Sequence, residues 1–311
     1  MIQLNYENNL YILNKMSLYT ISKSIIQKGL YSLKKITNLF CLLIIITLNQ
    51  SCKQSDPLPI VKEEPQDGLL FSGLKWEVKS GGDSKLGPGP NYFSDSTSNV
   101  FVDNQGYLHL KITLDNGKWN CAEVISREKF GYGTYVFTIQ SNVANIDRNA
   151  VVGLFTWDNT SFFTQANSEV DIEFSKWGSA TDTLTLTYSV QPVWFSNPVP
   201  YWERSKRPTM SVSKLKFPST HAFTWTDSLI TWKSYEGVNY PGNSLLSNWS
   251  FDKTKPPRIK IEGNNQSQPV VIPGPGQDTH ARINLWLLNG LGPSNNNEVE
   301  LIVKEFKFIP L

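Results

Sequence analysis

Leu108-His109-Leu110-Lys111-Ile112-Thr113-Leu114 alternates apolar and polar side chains at every step. A period of two puts Leu108, Leu110, Ile112 and Leu114 on one face of an extended strand, with His109, Lys111 and Thr113 on the other. Similar runs recur at 135–139, 151–157, 169–174, 184–190, 229–232, 283–287 and 299–303. Turn-forming clusters separate them, such as Asp103-Asn104-Gln105-Gly106 and Asn289-Gly290-Leu291-Gly292-Pro293. No stretch after residue 52 keeps a helical period for ten residues. Many short strands, Gly/Pro turns and no helices predict an all-β fold, a β-sandwich of the jelly-roll kind. No fixed-length repeat is present, which argues against a propeller or a solenoid. Two regions, 192–218 and 240–276, do not read as strands and are expected to be long irregular loops beside a binding site.

The chain has 311 residues, enough for one large β domain. Residues 1–52 hold five of the 29 lysines and arginines and one of the 27 acids, so 24 basic groups face 26 acidic ones in the remainder. With near-neutral charge and no basic run, a nucleic-acid partner is not expected, because neutralising phosphates needs a basic face.

Lys34 and Lys35 precede an apolar stretch from Ile36 to Leu48, followed by Asn49, Gln50, Ser51 and Cys52. Such a stretch is too short to span a bilayer and reads as the core of a signal peptide. A cysteine after a small residue at its end resembles a bacterial lipoprotein cleavage site, although Leu48 lies one place further from Cys52 than that motif prefers. We expect residues 1–52 to be a signal peptide with lipidation of Cys52 and a membrane partner through that anchor. Residues 53–68, rich in Pro, Glu, Gln and Asp, should form a flexible tether, and 69–311 the folded domain. Expected localisation is an exported lipoprotein, on the outer membrane or cell surface or facing the periplasm. Once Cys41 leaves with the leader and Cys52 carries lipid, Cys121 is unpaired and is expected to be a buried apolar residue.

In Ser168-Glu169-Val170-Asp171-Ile172-Glu173-Phe174 the pleat sends Val170, Ile172 and Phe174 one way and three carboxylates the other. No lysine or arginine interrupts the acidic row. Crowded carboxyl groups push one another's pKa values apart, the condition under which one acts as acid while another acts as base. Paired carboxylates of this kind cleave glycosidic bonds. A solvated strand face or a calcium site would use the same residues. The spacing of Glu169 and Glu173 allows either a retaining or an inverting separation.

Glu169-Val170-Asp171-Ile172-Glu173-Phe174 resembles the ExDxE-plus-aromatic signature of glycoside hydrolase family 16, the retaining endo-β-glucanases that include lichenases and laminarinases. Five further segments resemble that family in the same order: WNCAEVISREKFGYGTYVFTI at 119–139, AVVGLFTWDN at 150–159, HAFTWTDSLITWKSYEG at 221–237, RINLWLLNG at 282–290 and EVELIVKEFKF at 298–308. The resemblance implies a concanavalin A-like lectin/glucanase jelly roll. It implies Glu169 as nucleophile, Glu173 as acid/base, and Asp171 as the residue that tunes the nucleophile. Glu123 matches a glutamate of the sugar cleft. Three positions depart from lichenases: Ile125 stands where they carry an arginine, Asn167 where they carry a tryptophan, and Cys121 has no disulfide partner.

An indole face stacks on the apolar face of a pyranose, which makes Trp119, Trp157, Trp177, Trp194, Trp202 and Trp286 candidate sugar platforms. His109, His221 and His280 show no metal-ligand spacing, so no metal and no cofactor are expected, apart from a structural calcium of the kind many relatives carry. The expected protein is a monomeric, retaining, endo-acting hydrolase of a β-linked polysaccharide of the glucan or galactan class. A non-catalytic carbohydrate-binding lipoprotein of the same fold is the alternative.

Overall fold

A computed structural model describes residues 68–193, 202–209, 215–254, 259–260 and 269–311. All lie within one compact unit, Lys62–Leu311. The expected leader, Cys52 and nearly all of the tether lie outside the described residues.

Among the described residues eighteen strands form, in chain order: β1 (Leu69–Phe71), β2 (Leu74–Val78), β3 (Tyr92–Phe93), β4 (Val100–Val102), β5 (Leu108–Asp115), β6 (Lys118–Lys129), β7 (Gly133–Ile139), β8 (Ala150–Trp157), β9 (Val170–Phe174), β10 (Leu186–Val190), β11 (Ser205–Lys206), β12 (Ser219–Trp225), β13 (Leu229–Glu236), β14 (Leu245–Asp252), β15 (Ile259–Lys260), β16 (Pro269–Val270), β17 (His280–Leu287) and β18 (Val299–Pro310). The only α-helix among the described residues is a single turn, α1 (Phe162–Gln165). The all-β expectation holds.

Two antiparallel layers can be traced. One runs β11-β10-β9-β8-β17-β6 and continues through β2 to β1; the other runs β4-β5-β18-β7-β12-β13-β14. Strand β6 joins them, pairing with β17 along one part and with β5 near its start. The β5–β6 connection is a two-residue turn in which Asn116 and Gly117 both take left-handed angles, φ 48° and 75°, which suits the twist of a hairpin. At the predicted turn 103–106, the Asp103 carboxylate accepts the N–H groups of Gln105 and Tyr107, and Gly106 supplies the left-handed φ.

Between the layers lies an apolar core. Val124, Ile283, Leu154, Val170, Ile172 and Phe174 come from the first layer, and Leu110, Val303, Phe137, Phe223, Trp232 and Phe251 from the second. A polar network is buried within it: the His221 ring bonds the hydroxyls of Ser219 (2.9 Å) and Ser234 (2.7 Å), and Ser234 meets the Tyr188 hydroxyl at 2.6 Å. Burial pushes His221 down to about 3, so it is neutral and structural. The edge of its ring meets Phe174 directly behind the acidic strand.

One expectation needs correction. Region 240–276 was expected to be irregular, yet Leu245–Asp252 forms the eight-residue strand β14. Among the described residues it pairs with β13 alone, and of its eight residues only Phe251 is fully buried, so its alternation is carried mainly by Trp249 and Phe251. The first region also contributes the two-residue β11.

Candidate active site

Strand β9 lies in the middle of the first layer, between β8 and β10. Its even-numbered residues, Val170, Ile172 and Phe174, fill the core, and Asp171 and Glu173 point outward into a cleft of about 610 Å³, with Glu169 just before the strand. The register across the sheet explains the rest of the floor. Glu173 faces Gly153, Gly153 faces Asn284, and Asn284 faces Glu123; one row along, Asp171 faces Phe155, Phe155 faces Arg282, and Arg282 faces Ile125. Glycine at 153 leaves room for the Asn284 carboxamide, since a Cβ there would lie 2.4 Å from its oxygen and push that side chain aside.

Asp171 is almost fully buried, at 3% exposure, and is held by Gln191, whose Nε2–H donates to Oδ2 at 3.0 Å. Gln191 is itself oriented, since its oxygen accepts the Val193 N–H at 2.7 Å. Asp171 also shares a hydrogen bond with Glu169. Behind the sheet, the Trp232 indole N–H donates to the Asp171 backbone carbonyl at 3.0 Å, tying this point of β9 to the second layer.

Burial dominates the electrostatics. It raises both Glu169 and Glu173 well above the usual carboxyl range, and the charges of their acidic neighbours raise them further. Arg282 opposes the shift at Glu169. Asp171 is pushed up to about 7 by burial, held back by its hydrogen bonds to Gln191 and Glu169. Near neutral pH the three groups therefore share fewer than three charges, and the bonded pair Glu169–Asp171 titrates as a unit. Their mutual hydrogen bond raises Glu169 and lowers Asp171, so the shared proton rests on Glu169; its passage to Asp171 leaves Glu169 ionised, a candidate nucleophile beside a protonated Glu173.

The approach to Glu169 is unusual. Ala166, Asn167 and Ser168 all take left-handed backbone angles, φ 48°, 59° and 53°, a strained run for residues with side chains. It is pinned by neighbours: the Asn167 side chain donates to the Asp158 carbonyl at 2.9 Å, and the Ser168 hydroxyl donates to Gly274 O at 2.8 Å and accepts from Gly276 N at 3.0 Å. Asparagine tolerates that conformation better than most residues, which gives position 167 a local role.

The other predicted residues separate into groups. Glu123, fully buried, receives Lys79 Nζ at 2.9 Å, Arg282 Nη1 at 3.0 Å and Asn284 Nδ2 at 3.3 Å. Trp157 and Trp286 line the cleft near opposite ends, and Trp177 meets Trp286 edge to face. Trp119 is not among the lining residues, because its indole packs against the backbone at Gly292. Trp194 and the side chain of Trp202 lie outside the described residues. Cys121 is buried and free, its thiol pushed up to about 12 by burial. Among the described residues, no group of three or more histidine, cysteine, aspartate or glutamate side chains stands ready to hold a metal ion.

Sequence reasoning missed Lys79, Gln191 and Arg282. The signal for Arg282 was present: in His280-Ala281-Arg282-Ile283-Asn284-Leu285-Trp286, a period of two puts Arg282, Asn284 and Trp286 on one face.

Similar solved structures share this architecture. The chain is similar to a laminarinase from Flavobacterium sp. UMI-01, with 11% identity, a TM-score of 0.52, and coverage of 75% of this chain and 92% of the other. The fold is the jelly roll of the family 16 glucanases. It is equally similar in fold to a protein from work on endo-acting O-glycanases that human gut microbiota express to initiate mucin breakdown, at 14% identity, TM-score 0.52, and coverage of 79% and 96%. An immunostimulatory antigen and pseudo β-1,3-glucanase of Mycobacterium tuberculosis is a third, at 16% identity, TM-score 0.51, and coverage of 78% and 96%. No protein-family model and no curated protein sequence matches the chain.

Proposed function

We propose that this chain is a retaining, endo-acting glycoside hydrolase that cleaves a β-linked polysaccharide of the glucan or galactan class. The observation that carries the reading is the row Glu169, Asp171 and Glu173 in an open cleft of the glucanase jelly roll, with Asp171 clamped by Gln191. A Glu169 carboxylate oxygen attacks the anomeric carbon while Glu173 passes its proton to the departing glycosidic oxygen. Glu173, now ionised, takes a proton from water; the water oxygen attacks the same carbon and breaks the ester to Glu169. Asp171 steadies the ionised nucleophile through their shared hydrogen bond. Trp157 and Trp286 offer platforms for the sugars on either side. No resident cofactor enters this chemistry. The site is further proposed to work outside the cytoplasm, on a monomer held to a membrane by lipid on Cys52.

A second reading, a carbohydrate-binding protein without turnover, is favoured by one observation. Ala166-Asn167-Ser168 offers no tryptophan beside Glu169, where lichenases carry one. Incubating the purified domain with a panel of β-glucans and galactans, read by new reducing ends, separates the two. Turnover by the wild type that Glu169→Gln abolishes supports the hydrolase; binding with no new reducing ends supports the second reading.

A further inference from the structure

Glu173 and Thr187 are directly opposed across the β9–β10 ladder, so their side chains share one face of the sheet. Each is missing something. Asp171 has Gln191 and Glu169 as hydrogen-bond partners, whereas among the described residues no hydrogen bond reaches the Glu173 carboxyl. Thr187 is 4% exposed, and its hydroxyl is buried with no hydrogen-bond partner. A buried hydroxyl left unpaired is costly, and such groups in native proteins call for an explanation. Opposed side chains in an antiparallel pair have Cβ atoms about 5 Å apart, within reach of a hydroxyl and a carboxyl once either rotates.

The other flank of Glu173 is built differently. Gly153 has no side chain, and over it stands the Asn284 carboxamide oxygen, buried and likewise without a partner. That oxygen can only accept, so it suits the protonated acid. A threonine hydroxyl can donate, and so it suits the carboxylate.

We propose that Thr187 is a positioning residue whose hydroxyl donates a hydrogen bond to Glu173 when Glu173 is ionised. The inference rests on the hydrolase reading above for its purpose, since a group that alternates between acid and base needs a partner for each state. The charged groups facing Glu173 are Asp171 and Glu169 on its own side of β9, and Arg282, Glu123 and Lys79 beyond Gly153. Strand β10 presents Thr187 and Ser189 on this face, with Thr185 just before it, and carries no charge; beyond it Arg207, next after β11, is held by Asp182 at 2.7 Å.

The test follows the carboxyl carbon of Glu173 by NMR in carbon-13-labelled domain as pH is raised, in the wild type, Thr187→Val and Thr187→Ser. Thr187→Val keeps the shape and removes the donor, so the Glu173 midpoint should rise by about one pH unit, the size of one hydrogen bond to a charged group. Thr187→Ser should titrate as the wild type does. If the wild type cleaves glycans, the alkaline limb of its kcat/KM profile should move upward by the same amount in Thr187→Val and stay in place in Thr187→Ser. Equal Glu173 midpoints in all three folded proteins would overturn the proposal. A shifted midpoint in a protein with no glycan turnover would keep the pairing and sink the hydrolase reading.

Discussion

Arg282 on β17 stands directly across from Ile125 on β6 and reaches past it to bond Glu123 at 3.0 Å. The lichenase arginine expected two places after Glu123 is absent from β6, and a guanidinium enters the same part of the cleft from the neighbouring strand. Arg282 also donates to Asn159 Oδ1 at 3.2 Å and lies 5.7 Å from the centre of the Trp157 ring.

This arrangement predicts that the arginine can change strands. Arg282→Met leaves the buried Glu123 with Lys79 and Asn284 alone, and should cost about 2 kcal/mol of stability, less than a fully orphaned charge because one ion pair survives. Adding Ile125→Arg places the guanidinium directly opposite on the same face, and should recover most of the loss. Thermal melts of the two single variants and the double variant form a cycle that checks it; strictly additive losses would refute the exchange.

Stability should peak on the acidic side of neutrality. Glu169, Asp171 and Glu173 have folded pKa values raised above ordinary values of 4.5, 3.8 and 4.5, so the folded state holds their protons more tightly. The penalty for ionising them is absent below those values and grows as pH rises, for Asp171 through about 7. Asp147, Asp158, Asp182 and Asp278 are depressed by hydrogen bonds and ion pairs, so their contribution is present above 3.8 and is lost as pH falls below it. Melting temperature should therefore climb from pH 8 to roughly pH 5 and drop again below roughly pH 4. Glu173→Gln should flatten the upper part of that curve; an unchanged slope would mean that Glu173 is not strained by its charge.

Period-two alternation made β5, β9 and β17 legible, because each buries one face against the same core, while β8 was legible as a short, mostly apolar run that is buried on both faces. The acidic row was legible for the same reason. What the sequence did not yield were pairings between strands: Gln191 on Asp171, Lys79 and Arg282 on Glu123, and Thr187 opposite Glu173 depend on register between distant segments. Strand β14 escaped notice because an edge strand in water needs little apolar patterning. Trp119 shows the limit from the other direction, since residue type alone could not distinguish a sugar platform from an indole packed on Gly292.

Cys121 should be silent to thiol reagents in the folded domain and react as a single thiol on unfolding, because it is fully buried with its pKa raised to about 12. Cys121→Ala should lower stability by about 1 kcal/mol and leave glycan turnover unchanged. Rapid modification in native buffer would contradict the burial.

The proposed anchor predicts that the full-length protein fractionates with membranes and that Cys52→Ser releases it or stops its maturation. A single acyl chain binds a bilayer only marginally, so stable retention requires the several chains that a lipoprotein cysteine carries. Recovery of the wild type as a soluble secreted protein would exclude the anchor.

The last prediction separates the roles of the three carboxylates. Glu173→Ala removes both the proton donor for departure and the base for water, so substrates with good leaving groups should still form the glycosyl-enzyme while release stalls. Azide, which needs no deprotonation, should then restore turnover and leave a β-glycosyl azide of retained configuration. Glu169→Gln should show no such rescue of retained product, because no intermediate forms on it. Asp171→Asn should reduce kcat by less than either change, about 10²-fold, since Asp171 steadies Glu169 without forming a bond to sugar. Each substitution removes a group that is costly to ionise in this crowded row, so at pH 8, where that cost is largest, each variant should melt no lower than the wild type. An azide effect on Glu169→Gln and none on Glu173→Ala would exchange the two assignments, and loss of activity with a collapsed melting temperature would make the row structural.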